Sequence, residues 1–179
     1  GYHLQAQTNF MESLRMIKDA SEMATIRKAC SISDRAFTDV LDFIKAGQTT
    51  ELQVANFLDF RMREYGASGI SFETIVASGK RSAMPHGVAS DKVIESGDML
   101  TLDFGCYYNH YVSDMTRTIH IGDISDKERE VYQLVLEANQ AVIDSVKAGM
   151  VRKDYDKAAR NVIANAGYGD YFTHGIGHG

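Results

Sequence analysis

Two segments with alternating apolar residues, separated by a short polar stretch, constrain the fold more than any other feature of the sequence. In the first segment, Leu100, Leu102 and Phe104 occupy every second position. Residues 111–121 alternate again after a tyrosine-rich stretch. A period of two is typical of β-strands with one buried face. We therefore predict an antiparallel β-hairpin that turns near residues 108–109.

Segments with helical periodicity precede and follow this hairpin. Two of them begin with capping boxes, formed by Thr50 with Gln53 and by Ser125 with Glu128. Glycines follow the predicted helix ends, as helix C-caps often require. Together with a β-prone segment at 74–79, this pattern predicts a mixed α/β (α+β) domain with helices packed on a mainly antiparallel sheet. The predicted helices cover about residues 13–46, 51–65, 126–148 and 153–166.

One short sequence recurs at the ends of two predicted helices. Lys-Ala-Gly stands at residues 45–47 and 147–149, each time before a shorter helix that closes on a glycine. An internal repeat would explain this. Because glycine caps are common, two unrelated helical hairpins explain it equally well.

Charge and composition exclude several classes of function. The formal net charge of −5 and the pI of about 5.6 argue against nucleic acid or an anionic membrane as a partner. No apolar run approaches the roughly 18–20 residues that span a bilayer, and residues 1–10 lack the pattern of a signal peptide. Cys30 and Cys106 form no CxxC pair, which favours a reducing compartment. We predict a globular cytoplasmic protein.

Two aspartates lie inside the predicted hairpin, Asp103 in the LDFG motif and Asp114 in the SDMTRT motif. With a turn at residues 108–109 they would be directly opposite each other, with Cβ atoms roughly 4.5–5.5 Å apart. Like charges across a ladder destabilise it, so the pair favours a shared proton or bound divalent cations, which prefer oxygen ligands. In a different register, one aspartate would merely lie in a solvated loop.

Histidines occur in two further motifs. The HGIGHG sequence at residues 174–179 combines two imidazoles with glycines that let a ligand approach the backbone closely. The same composition is also compatible with a disordered tail. Pro85, the only proline, fixes a bend directly before His86. A lone histidine is more often structural than catalytic, so His86 is a candidate only in combination with the other motifs.

As a series, IVASG, PHG, LDFG, SDMTRT and HGIGH resemble the signature of the Xaa-Pro peptidases, the prolidase and aminopeptidase P group of the pita-bread metallopeptidases. The resemblance extends from Leu14 onward. It implies a pita-bread fold, in which two αβ halves with a curved sheet are related by a pseudo-twofold axis. Residues 13–179 would form the catalytic domain with an incomplete second half, and residues 1–12 a linker or an N-terminal remnant.

The resemblance also implies roles for particular residues. Asp103, Asp114 and His178 would be metal ligands, His174 would lie near the substrate, and His86 would hydrogen-bond the scissile peptide. The family completes its site with two glutamates beyond the HGIGH motif, so this chain alone is expected to be inactive. The implied cofactors are two divalent metal ions, manganese or cobalt, and the implied substrate is a small peptide with proline at its second position. The implied assembly is a homodimer.

Two other functions fit part of the pattern. A methionine aminopeptidase would share the fold, but the residues of the SDMTRT and HGIGH motifs favour an Xaa-Pro peptidase. A non-catalytic binding module would also share it. Such a module would have no chemical reason to keep Asp103, Asp114, His174 and His178 together, which favours the enzyme.

Overall fold

Helices and antiparallel strands follow each other along the chain in two units. The computed structural model describes residues 2–178, and the units divide between Asp123 and Ile124. No helix in residues 2–178 combines the length and the hydropathy that crossing a bilayer requires. The first unit contains helices α1 (Phe10–Arg15), α2 (Ala20–Phe43) and α3 (Glu51–Glu64), and the second contains α4 (Asp126–Ser145) and α5 (Arg152–Asn165).

All the strands that the structure assigns within residues 2–178 belong to the first unit. They form two antiparallel sheets, one with the order β1-β4-β5 and one with the order β2-β3-β6. The predicted mixed α/β class with antiparallel sheets is confirmed. The strands are β1 (Gly69–Ile70), β2 (Ile75–Ser78), β3 (Met99–Phe104), β4 (Cys106–Tyr108), β5 (Tyr111–Val112) and β6 (Met115–His120).

The core of the first unit lies between its helices and one face of the sheet that contains β3. Leu100, Leu102 and Phe104 are fully buried, whereas Thr101 and Asp103 between them are half-buried. The alternation predicted from the sequence is therefore confirmed. Helices α2 and α3 cover the buried face with Ala29, Ile32, Ala36, Val40, Val54, Leu58 and Met62.

Two helices, α1 and α2, replace the single helix predicted over residues 13–46, so that prediction was wrong. After α1 the chain is no longer helical, and α2 begins after its N-cap residue Asp19. The side chain of Asp19 accepts hydrogen bonds from the amides of Ser21 and Glu22. Because the Glu22 carboxylate in turn accepts a hydrogen bond from the Asp19 amide, the pair forms a capping box. Leu14 and Ile17, which lie before this helix start, are exposed.

The helical hairpins α2–α3 and α4–α5 have matching local geometry. Helices α2 and α4 each end three residues before the predicted position, at Phe43 and Ser145. The residues that follow them, Ile44 (ψ 123°) and Val146 (ψ 131°), are extended. Gly47 and Gly149 then adopt positive φ, 72° and 84°. The Lys-Ala-Gly repeat thus marks the same turn in both units. The pseudo-twofold relation that the family resemblance implies stays a prediction.

The hairpin turns one residue later than predicted, which changes the pairing of the aspartates. Tyr108 pairs with Tyr111, and Asn109 and His110 form the turn with φ values of 46° and 70°. Two positive φ values match the type I′ turn that suits the twist of a two-residue hairpin. Moving the turn by one residue moves the cross-strand pairing by two.

Asp103 consequently pairs with Thr116, and the prediction that it faces Asp114 directly was wrong. Asp114 lies between β5 and β6, outside the paired residues. It is therefore not the direct ladder partner of Asp103, although both residues line the same cavity.

Glycine at position 110 should stabilise the hairpin. His110 adopts a φ of 70°, which costs a residue with a Cβ atom about 1–2 kcal/mol. Glycine removes this cost, but part of the stability gained is offset because glycine loses more conformational entropy on folding. We expect His110→Gly to raise the free energy of unfolding by roughly 0.5–1 kcal/mol in urea denaturation. His110→Ala is the matched control and should give no such gain. An equal gain in both variants would assign the effect to the lost imidazole instead.

Candidate metal and substrate site

A cavity of about 370 Å³ in the first unit brings together three of the residues that the motifs singled out. His86 comes from the PHG motif, Asp103 from the end of β3, and Asp114 from the segment just before β6. Their roles stay predictions, but their convergence from three separate segments is a property of the fold. The remaining wall consists of Phe72, Glu73, Ile75 and Val88.

The two aspartates lie where the long hairpin is interrupted. Asp103 is half-buried and accepts a hydrogen bond of 3.0 Å from the Thr116 hydroxyl. Between the two ladders, a Cβ atom on Gly105 would lie 1.9 Å from the carbonyl oxygen of Ser113. Only glycine permits this approach of the two backbones. The glycine of LDFG therefore allows the hairpin to close beside Asp114.

His86 lies on a segment that packs tightly against strand β2. Its side chain is exposed, but the following Gly87 is buried. A Cβ atom on Gly87 would lie 2.7 Å from the Cβ atom of Ala77. An isolated antiparallel bridge between Ile75 and Val88 continues the contact. The glycine of the PHG motif thus lets the segment lie against the sheet, which brings His86 to the cavity.

A buried carboxylate holds both ends of the segment that carries His86. Glu51 is the first residue of α3 and has no exposed surface. It accepts hydrogen bonds from the amide and hydroxyl of Ser78 at 2.7 and 2.8 Å. It also accepts bonds from Arg81 Nε at 3.0 Å and from the Ser90 hydroxyl at 2.6 Å. Sequence reasoning missed this network, since an acidic residue in the first turn of a helix is ordinary.

Electrostatics keep Glu51 ionised despite its burial. Burial alone raises the pKa of this carboxyl. The hydrogen bonds from Ser90 and Ser78 and the positive charge of Arg81 act in the opposite direction and outweigh burial, so the pKa lies below the usual value of a glutamate. Its contribution to stability is therefore present above the pKa of the unfolded chain and is lost as the pH falls through the lower folded value.

His174 and His178 belong to the second unit, where helix α5 holds the glycine-rich tail. Arg160 donates hydrogen bonds to the carbonyl oxygens of Phe172 and His174, at 2.8 and 2.9 Å. Asp156 accepts a bond of 3.1 Å from the amide of Ile176. Hydrogen bonds from Arg160 and then from this amide lower the pKa of Asp156. The tail up to residue 178 is therefore hydrogen-bonded to α5, although both histidines are exposed.

The aspartates fit a divalent metal ion by chemistry and by placement. Carboxylate oxygens are the ligands that such ions prefer, and Thr116 fixes one of them by a hydrogen bond. Within residues 2–178, no three His, Cys, Asp or Glu side chains form a group that could hold a metal ion. Asp103 and Asp114 are two candidate ligands.

Comparison with known proteins identifies the family. Two carboxylates and an imidazole at one cavity are groups that metal-dependent hydrolases use to bind metal and to transfer protons. The model of metallopeptidase family M24 matches residues 24–179, and the chain belongs to this family. The resemblance inferred from the motifs is confirmed, and so is the pita-bread fold of its structural relatives.

Individual relatives are similar over nearly the whole chain. The Xaa-Pro dipeptidase of Pyrococcus furiosus is 47% identical over 169 residues, which are 94% of this chain and 48% of that protein. The structure of an Xaa-Pro dipeptidase from Bacillus anthracis superposes with a TM-score of 0.94 at 50% identity, covering 97% of this chain and 48% of the other. The prolidase from Pyrococcus furiosus gives 0.92 at 46% identity, covering 95% and 50%. The chain spans about half the length of the curated relatives it matches.

The contact between Gly87 and Ala77 should limit what position 87 tolerates. Because the added methyl group overlaps with Ala77, we expect Gly87→Ala to lower the free energy of unfolding by roughly 1–3 kcal/mol. Ala77→Gly removes the Cβ atom that the added methyl group would overlap. By itself, this substitution should lower the free energy of unfolding by about 0.5–1 kcal/mol. The double variant should therefore lose less than the sum of the single losses, measured by denaturation. Strictly additive losses would contradict this contact.

Proposed function

We propose that the protein containing this chain hydrolyses the peptide bond between an N-terminal residue and a following proline, as an Xaa-Pro dipeptidase or an aminopeptidase P does. The cavity lined by His86, Asp103 and Asp114 is the observation that carries this proposal. Relatives of matching fold are named Xaa-Pro dipeptidase and prolidase, which supports the same substrate class. The substrate would be a small peptide with proline at its second position.

Asp103, Asp114 and His178 are the proposed ligands of two divalent metal ions, manganese or cobalt. Membership of a metallopeptidase family supports the use of divalent metals. When bound, such ions activate water and stabilise negative charge on the substrate oxygen. The hydrogen bond from Thr116 to Asp103 would keep that carboxylate oriented toward the cavity.

His86 is proposed to be a catalytic residue that does not bind the metal. Its exposed imidazole at the cavity wall could donate a hydrogen bond to the scissile peptide and stabilise the charge of the tetrahedral intermediate. Phe72, Ile75 and Val88 give the wall an apolar part that suits a proline ring. His174 would contact the substrate from the HGIGH motif.

We further propose that the protein is a cytoplasmic homodimer. Cys30 and Cys106 are both free thiols, which supports a reducing compartment. The acidic net charge of −5 supports a peptide rather than nucleic acid as the partner. The homodimer follows from the family resemblance.

Removal of the His86 imidazole should separate catalysis from metal binding. In the complete enzyme, we expect His86→Ala to lower the rate of Xaa-Pro hydrolysis by roughly 10²–10⁴-fold, the scale of a lost proton-transfer or oxyanion-binding group. Metal content, measured by elemental analysis, should stay nearly unchanged. His110→Ala is the matched control, because His110 is an exposed histidine at the hairpin turn of the same unit. Loss of metal in His86→Ala would reassign His86 as a ligand, and an unchanged rate would make it structural.

The 179-residue chain by itself should bind metal weakly and lack turnover. It supplies Asp103, Asp114 and His178, whereas the family resemblance implies two additional glutamates that balance the charge of two ions. Without them, the neighbouring aspartates repel each other, and the site lacks carboxylate ligands that two divalent ions require. Manganese titration by calorimetry and an assay with an Xaa-Pro dipeptide measure both properties. Tight binding of two ions would show that the ligand set is misassigned.

A further inference from the structure

The segment from Arg81 to Ser90 carries His86 and is closed by one carboxylate. Glu51 Oε2 accepts a hydrogen bond of 3.0 Å from Arg81 Nε at the beginning of the segment. At the other end, the same oxygen accepts bonds from the amide and the hydroxyl of Ser90, at 3.2 and 2.6 Å. Both ends are thus fixed to a single, fully buried group at the start of α3.

Arg81 also reaches into the middle of the segment. Its Nη2 atom donates a hydrogen bond of 2.6 Å to the carbonyl oxygen of Val88. The amide of Val88 in turn donates a bond of 2.9 Å to the carbonyl oxygen of His86. A continuous series of contacts therefore connects the buried carboxylate, through the guanidinium, to the backbone of His86.

These contacts are distinct from those that join Glu51 to the sheet. The other oxygen, Oε1, accepts hydrogen bonds from the amide and hydroxyl of Ser78 at the end of β2 and a longer bond of 3.3 Å from Arg81 Nε. The bonds from Ser78 join one carboxylate oxygen to the sheet. The bonds to Arg81 and Ser90 act instead on the segment that carries His86. Among residues 2–178, the cavity is lined by His86 and Val88 and not by Arg81 or Ser90.

We propose that Arg81 and Ser90, anchored on Glu51, are positioning residues that hold His86 at the wall of the cavity. This inference rests on the function proposed above for His86. The two residues act through the backbone on either side of that histidine. Their removal should weaken catalysis only to the extent that His86 contributes to it.

A double-mutant cycle in the complete, manganese-loaded enzyme tests this inference with the dipeptide Ala-Pro as substrate. Arg81→Met removes the guanidinium from a side chain that is 31% exposed, so the core loses little packing. We expect kcat to fall by up to about 10²-fold, the scale of a catalytic group displaced by about 1 Å. In the His86→Ala background, the same substitution should leave the residual rate nearly unchanged, because the group it positions is absent. Ser90→Ala should lower kcat by a smaller factor, and this effect should also disappear in the His86→Ala background.

Arg63→Met is the matched control. Arg63 is an exposed arginine of α3 that donates a hydrogen bond of 2.9 Å to the carbonyl oxygen of Ser68, outside the segment. The substitution removes the same charge and the same kind of bond. It should leave kcat unchanged in both backgrounds.

Amide hydrogen exchange gives a readout that needs neither metal nor turnover. In metal-free protein, the amides of Gly87, Val88 and Ser90 donate to acceptors that lie within the segment or on Glu51. Arg81→Met should accelerate exchange in the peptide that covers residues 81–90. Arg63→Met should not change exchange in this peptide.

The outcomes separate the two proposals. Additive losses of rate in the Arg81→Met and His86→Ala double variant, or unchanged exchange in residues 81–90, would overturn the positioning role. An unchanged rate in His86→Ala alone would overturn the proposed function of His86. It would also remove any catalytic role of the contacts between Glu51, Arg81 and Ser90. In that case faster exchange in Arg81→Met would identify a purely structural anchor. Non-additive losses together with faster exchange support the inference.

Discussion

The central strand β3 gives the first unit its division into a packed face and a cavity face. Side chains alternate along a strand, so burial of Leu102 and Phe104 in the core sets Asp103 on the opposite face. Neighbours on both sides, Ile75 of β2 and Thr116 of β6, hold this position by pairing with Asp103. A shift of β3 by one residue would bury the carboxylate and expose the leucines, which the hydrophobic effect opposes strongly.

The other parts of the cavity depend on close approaches between backbone segments. At Gly105, the two strands of the hairpin come too close for any side chain, and at Gly87 the histidine-bearing segment lies directly on Ala77. These contacts bring Asp114 and His86 to a cavity that Asp103 also lines. The glycines of the motifs thus serve the geometry of the site, whereas the polar residues supply its chemistry.

A buried negative charge stabilises this arrangement at a point remote from the motifs. A carboxylate removed from water is tolerated only when donors replace its hydration. For Glu51 these donors are two serines and Arg81, which come from the end of β2 and from both ends of the segment around His86. Because these donors lie 27 to 39 residues from Glu51 in the sequence, satisfying one buried group favours a single conformation of that segment. Asp156 and Arg160 have a comparable effect on the tail of the second unit.

The sequence by itself determined the local features whose causes lie within a few residues. The alternation of β3, the capping boxes at Thr50 and Ser125 and the motif series that indicates the family could all be read from it. Register and the Glu51 network could not, because they depend on energies that compare distant segments. The break before α2 had a local signal, the capping box of Asp19 and Glu22, which the apolar periodicity of the segment obscured. The hairpin turned at residues 109–110 because a two-residue type I′ turn satisfies the strand twist, and this moved Asp114 away from direct pairing. Only tertiary structure decided which residues surround Glu51, since the need of a buried carboxylate for donors does not specify where in the sequence those donors lie.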